Sequence, residues 1–181
     1  DEFLAKNLQI AYKNMKKIAV LNQDALYINY ERLNLNGAII IGNLPFNIST
    51  QLLFKWLDTE VWPPFYERMI LMFQKEVAER IISKPNYKSY GRISVVSQAR
   101  CKIRKLMTAP ARIFNPVPKV DGIVLEFEPL LNGGDLKYIQ LKEIVEKAFS
   151  QRRKKLKNNL KEFSYLLEKL DIDVNLRAEN L

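Results

Sequence analysis

Apolar positions along this chain keep two rhythms, one suited to helices and one to buried strands. Residues 3–17 place Leu4, Leu8, Ala11 and Met15 three to four residues apart, on one helix face. Ile18-Ala19-Val20-Leu21 is a continuous apolar run and predicts a short strand ending at Asn22-Gln23-Asp24-Ala25. A second run, Ala38-Ile39-Ile40-Ile41, lies between Gly37 and Gly42-Asn43, and Ser49 is then placed to N-cap a helix reaching Leu57. Met69-Ile70-Leu71-Met72-Phe73 predicts a third buried strand, followed by a helix over 75–82. Residues 83–91, with Pro85 and Gly91, read as a loop, and 93–99 fit a helix or a strand equally. Residues 102–107 and 123–127 predict strands on either side of the proline-rich turn 110–118.

Continuous apolar strands alternating with helices predict an α/β domain whose mostly parallel sheet is covered on both faces. Residues 130–135, with Gly133-Gly134, mark the expected boundary, which separates a domain over 1–131 from a helical one over 135–181. In the second, Leu141, Val145, Phe149, Leu156, Leu160 and Phe163 recur at helical spacing. Sheets of this kind bind ligands beyond the carboxyl ends of their strands. That rule selects two loops, Gln23-Asp24-Ala25 and Asn43-Leu44-Pro45-Phe46.

Composition narrows the chemistry. The 181 residues are 48% hydrophobic, enough for one good core, and no apolar run is long enough to span a bilayer. There is no histidine and one cysteine, Cys101, which argues against hydrolase triads, a disulfide framework and a zinc site. No metal is expected, and a reducing cytoplasmic setting fits. The net charge is +9 and unevenly spread. Ten Lys or Arg and no acid lie between Arg80 and Val120, and seven more bases without an acid lie between Lys147 and Lys161. A solvated basic surface is the bland reading; two acid-free zones in one small protein favour a polyanion, and RNA is the natural candidate.

The second loop has the parts needed to methylate an exocyclic amine of a base. Such an amine is a poor nucleophile, because its lone pair is delocalised into the ring. A site that activates it must accept hydrogen bonds from its hydrogens as the nitrogen becomes tetrahedral. The Asn43 side-chain oxygen and the Leu44 carbonyl are both suited to that. Pro45 stiffens the loop, and Phe46 offers a face on which a flipped-out base can stack.

The segment Gly42-Asn43-Leu44-Pro45-Phe46-Asn47-Ile48-Ser49-Thr50 resembles the catalytic motif of the KsgA-type rRNA adenine dimethyltransferases, in which tyrosine usually stands where Phe46 does. The likeness continues through Leu71-Met72-Phe73-Gln74-Lys75-Glu76-Val77 and Tyr90-Gly91-Arg92-Ile93-Ser94-Val95. It runs on through Phe114-Asn115-Pro116-Val117-Pro118-Lys119-Val120-Asp121, Phe149-Ser150-Gln151-Arg152-Arg153-Lys154 and Arg177-Ala178-Glu179-Asn180-Leu181. These blocks cover nearly the whole chain in order.

The resemblance implies a Rossmann-like S-adenosylmethionine-dependent methyltransferase sheet with a small C-terminal all-helical domain. It implies dimethylation of N6 on two adjacent adenosines in a hairpin near the 3′ end of small-subunit rRNA, coupled to maturation of the small ribosomal subunit. By the same resemblance, Asn43 contacts the cofactor and, with the Leu44 carbonyl, binds the target amine. Phe46 and Phe114 sandwich the base, and Asp24, beside the Ala25 N–H, holds the adenine of S-adenosylmethionine. A sulfonium methyl donor requires alignment more than a strong base, so the lack of histidine is no obstacle. Lys119, Arg153, Lys154 and Lys157 are expected to meet RNA phosphates, whereas Arg152 falls on the apolar stripe between Phe149 and Leu156.

Further expectations are a monomer, no membrane partner, and the small-subunit rRNA within the immature subunit as substrate. The family's glycine-rich loop after the first strand and the acid after the second have no counterpart here. The first strands are therefore expected to be missing, both domains truncated, and the fragment inactive alone. A large-subunit rRNA methyltransferase and a non-catalytic nucleic-acid-binding protein are the competing readings.

Overall fold

A computed structural model describes residues 1–59, 61–134 and 137–181. It separates into two compact units, Asp1–Asn34 and Leu35–Leu181. In the first, helix α1 (Glu2–Ala11) begins where the Asp1 carboxylate accepts the Leu4 N–H at 3.0 Å. It is shorter than the spacing over 3–17 predicts. Past Tyr12 the backbone closes three-residue turns, Met15 N–H to the Tyr12 carbonyl and Ile18 N–H to the Met15 carbonyl, both at 2.9 Å. The strand expected at 18–21 does not form. Four apolar residues cannot make a strand without a partner ladder, and here Ile18 and Leu21 are exposed. A 3₁₀ turn at Tyr30–Leu33 ends the unit.

The second unit holds a four-stranded sheet in the order β1-β2-β4-β3, built from β1 (Ala38–Asn43), β2 (Tyr66–Gln74), β3 (Cys101–Ala109) and β4 (Gly122–Pro129). Strands β1 and β2 are parallel and joined through helix α2 (Ser49–Leu57). Strand β4 runs antiparallel to both β2 and β3, so the sheet is mixed rather than mostly parallel. The connection from β3 to β4 carries only a short 3₁₀ turn, Ala111–Ile113, and a return without a crossover helix makes neighbours antiparallel.

Central strands β2 and β4 supply the core. Met69, Leu71, Phe73, Ile123, Leu125 and Phe127 are almost wholly buried, and the Phe73 and Phe127 rings meet edge to face at 6.1 Å. Each such side chain stabilises the fold by about 1.5–3 kcal/mol relative to exposure. The edge strands differ. Ile39 and Ile41 on β1 and Leu106 and Met107 on β3 are exposed, contrary to the expectation of cover on both faces.

Helices α3 (Lys75–Ile81) and α4 (Arg92–Arg100) lie between β2 and β3 in the chain, and α4 settles the ambiguity at 93–99. Its start is secured by buried Ser94, whose hydroxyl accepts the Gly91 N–H at 3.0 Å and donates to the Arg80 carbonyl. Beyond β4 come α5 (Tyr138–Ala148), α6 (Leu156–Asn159) and α7 (Ser164–Lys169). They share an apolar cluster of Ala148, Leu156, Leu160, Leu167 and Ala178, with Phe149 and Phe163 packed against it. The chain between α5 and α6 is not continuous helix, although the apolar spacing runs through it. Asp135, the last residue of the expected boundary, lies outside the described residues. Buried Arg100 ties α4 to α5, its guanidinium 4.5 Å from the Trp62 ring and 5.3 Å from the Tyr138 ring. Among the described residues no helix is long and apolar enough to cross a membrane.

Candidate active site

Strand β1 ends at Asn43, level with Met72 of β2, and the chain then turns sharply into α2. Gly42, just before that turn, is packed close on its open side. A Cβ there would stand 2.7 Å from Leu44 Cδ2 and 3.1 Å from Leu71 Cδ2, so glycine leaves room for the Leu44 side chain to fold back against the sheet. The next two carbonyls are committed to the start of the helix. Pro45 accepts from the Ile48 and Ser49 N–H groups, both at 3.1 Å, and Phe46 accepts from the Ser49 hydroxyl at 3.1 Å. Ser49 is therefore not the N-cap expected of it: it is the first helical residue, and its buried hydroxyl braces the loop behind it. Among the described residues, neither the Asn43 side chain nor the Leu44 carbonyl makes a hydrogen bond.

Asn43, Leu44, Pro45 and Phe46 line a cleft of about 240 Å³ together with Phe114, as well as Met72, Asn115, Pro116 and Pro118. Five residues singled out from the sequence thus face one space. The far wall comes from the loop between β3 and β4, which Asp121 pins at both ends. Its carboxylate accepts the Ala111 N–H at 2.8 Å, and its carbonyl accepts the Lys75 N–H at 2.9 Å. Neither Met72 nor Asp121 was singled out from the sequence; one reads as core strand, and the other as part of a longer motif.

Asp24 and Ala25 belong to the first unit. Asp24 Oδ1 accepts the Leu26 N–H at 2.9 Å, and the Ala25 carbonyl accepts the Tyr30 hydroxyl at 3.0 Å. Asp24 lines a pocket of about 460 Å³ with Gln23, Tyr27, Ile28, Asn29, Arg32 and Leu33. One carboxylate oxygen is held by the backbone and the other accepts no hydrogen bond among the described residues, with Tyr27, Ile28 and Leu33 on the same pocket as the polar Gln23, Asn29 and Arg32. A free carboxylate acceptor beside an aromatic ring fits a purine whose exocyclic amine donates. No group of three or more His, Cys, Asp or Glu among the described residues is arranged to hold a metal ion.

The basic zones separate into paired and unpaired side chains. Lys147 meets Glu143 at 2.9 Å and Glu162 at 2.6 Å, Arg104 meets buried Glu126, and Arg80 meets Glu76 at 2.6 Å. Arg152, on the apolar stripe, pairs with Glu179 at 2.7 Å. Lys119, Arg153, Lys154 and Lys157 are exposed and make no ion pair among the described residues. Burial holds the Arg100 guanidinium below its ordinary pKa, in keeping with a packing role rather than a surface one.

The chain is 40% identical to the ribosomal RNA small subunit methyltransferase A of Chelativorans sp. (strain BNC1), over 96% of this chain and 64% of that protein. It is also 40% identical to the protein of the same name from Brucella abortus biovar 1 (strain 9-941), over 100% of this chain and 67% of that protein. The chain thus spans less than two thirds of the first relative's length. A dimethyladenosine transferase from Plasmodium falciparum shares the fold, with a TM-score of 0.79 at 23% identity over 100% of this chain and 74% of that one. The 23S rRNA methyltransferase ErmE does so with a TM-score of 0.66 at 21% identity, over 99% of this chain and 73% of that one. The fold is therefore the Rossmann-like α/β fold of these methyltransferases. The model of the ribosomal RNA adenine dimethylase family matches residues 1–179, and the chain belongs to that family.

Proposed function

We propose that this protein dimethylates N6 of two adjacent adenosines in a hairpin near the 3′ end of small-subunit rRNA, using S-adenosylmethionine, during maturation of the small ribosomal subunit. The observation that carries this reading is which hydrogen-bond acceptors the loop after β1 uses and which it leaves. The Pro45 and Phe46 carbonyls are taken by the start of α2, while Asn43 Oδ1 and the Leu44 carbonyl stay available at the cleft. Two acceptors on one amine draw its hydrogens out of conjugation and favour the tetrahedral nitrogen of the transition state. Phe46 and Phe114 hold the base between them by stacking, and Pro45 keeps the loop from relaxing.

S-adenosylmethionine, when bound, supplies an electrophilic methyl group. Asp24 and the Ala25 N–H are assigned to its adenine, and Asn43 to contact with it near the reacting amine. Lys119, Arg153, Lys154 and Lys157 are assigned to RNA phosphates, which position the substrate without reading its sequence. The test is Asn43→Ala in the full-length gene product, with methyl incorporation into small-subunit rRNA and RNA affinity measured together. Incorporation should vanish while affinity stays within a few fold. Loss of both would make Asn43 a structural residue, and incorporation into large-subunit rRNA alone would overturn the choice of substrate.

A further inference from the structure

We infer that Met72 is the yielding wall of the base cleft, the residue that lets one site accept an adenine amine and then its N6-methylated form. This rests on the function proposed above. Of the other described lining residues, Asn43 ends β1 and the rest come from two loops braced by hydrogen bonds; Phe46, Phe114 and the prolines 45, 116 and 118 are rings, and the Leu44 side chain is folded back against the sheet. Rings of this kind turn but do not change shape. Met72 reaches the cleft from β2, level with Asn43, and its unbranched thioether has three rotatable bonds.

The neighbouring strand makes room for that side chain. A Cβ on Gly122 would lie 2.9 Å from the Met72 sulfur and 3.2 Å from its Cγ, so the thioether occupies space that any larger residue would fill. The next strand contributes only Ala109 at that level, 3.6 Å from the same position. Two small residues in register thus form the slot in which the thioether lies behind the cleft. Met72 itself is 8% exposed, which leaves a narrow face toward the base.

The chemistry needs such a wall. Dimethylation asks one cleft to hold an NH₂ group and later an NHCH₃ group at the same distance from Asn43 and Leu44. A close-fitting rigid pocket discriminates about 10–200-fold against one extra methyl-sized group. An unbranched side chain lying in a slot of small residues can re-pack there as the methyl group arrives, which lowers that penalty.

The test measures binding of the full-length protein to two hairpin RNAs that differ only in carrying adenosine or N6-methyladenosine at the target position. The affinity ratio is taken within each variant, so a general loss of folding lowers both values and leaves the ratio unchanged. Wild type should bind the two within a few fold. Gly122→Ala, which crowds the slot, and Met72→Ile, which is stiff at Cβ, should each weaken the methylated RNA about tenfold more than the unmodified one. Met72→Ala should shift the ratio the other way, toward the methylated RNA, and decides the matter if Gly122→Ala fails to fold. Ratios within twofold of wild type for both Met72 variants would overturn the inference. A wild type with no preference for adenosine over uridine at the target would instead overturn the proposed function beneath it, and the inference with it.

Discussion

Arg152 donates from Nε to the Glu179 carboxylate at 2.7 Å, and from the same guanidinium to the Lys88 carbonyl. The bond does not stand alone. The Asn86 N–H donates to the Glu179 carbonyl at 2.7 Å, and the Asn180 amide donates to Asn86 Oδ1 at 2.9 Å. Three separated stretches, the loop at 83–91, the turn at 149–155 and residues 177–181, are thereby fastened to one another. Arg152 and Glu179 sit in two blocks that carry the family resemblance, and their contact gives those blocks a structural reason.

A double-mutant cycle on Arg152→Ala and Glu179→Ala should return a coupling of about 0.5–1 kcal/mol, because Arg152 remains half exposed. The amide of Asn86 should exchange faster in either single variant. Zero coupling with unchanged exchange would mean that the clasp does not hold in solution.

Arg153, Lys154 and Lys157 differ from Arg152 in having no ion pair among the described residues. Each alanine replacement that removes a phosphate contact should lower the slope of log affinity against log salt by about 0.7–0.9. Arg152→Ala should leave that slope nearly unchanged. Equal salt slopes for all four variants would place the RNA elsewhere on the surface.

Asp121 braces the loop that carries Phe114 by accepting the Ala111 N–H at 2.8 Å through its side chain. Asp121→Ala should destabilise the fold by about 1 kcal/mol and weaken binding of the target base, since a part-buried donor loses its partner. Asp121→Asn keeps an acceptor oxygen at the same place and should recover most of both losses. Thermal unfolding and RNA titration of the pair would decide. If asparagine behaves like alanine, charge rather than the hydrogen bond is what matters.

How much of this was legible depends on where the controlling partner sits. Strands β1, β2 and β4 and helices α2 and α3 follow from runs and spacings within their own residues. The absent strand at 18–21 and the antiparallel placement of β4 do not, because pairing is decided by another segment. The same division runs through the cleft. Asn43 to Phe46 announce themselves as four adjacent residues with complementary chemistry. Met72 reads only as one apolar residue in a buried run, since its reach into the cleft depends on Gly122 across the sheet. Asp121 is likewise meaningful only beside Ala111, ten positions away, and Ser49 exchanges a capping role for a bond to Phe46 behind it.

Cys101 offers a stability test that is independent of RNA. Its thiol is 2% exposed, and burial pushes its pKa up from the ordinary 9.0 to about 12. Burial also raises the Tyr66 and Tyr138 hydroxyls. Between about pH 9 and 12 the unfolded chain has released the Cys101 proton and the folded chain keeps it. Stability from this group is therefore complete below about pH 9 and falls as pH rises, by up to about 1.4 kcal/mol per pH unit. Urea unfolding of the wild type should show a declining midpoint from about pH 9 upward, steepening near 10 as the tyrosines of the unfolded chain ionise. Cys101→Ala should flatten the first part of that decline and leave the tyrosine part. The native thiol should resist disulfide reagents at neutral pH until denaturant opens the sheet. A midpoint constant from pH 8 to 11, or rapid labelling of the folded protein, would place Cys101 in contact with water instead of between β3 and its neighbours.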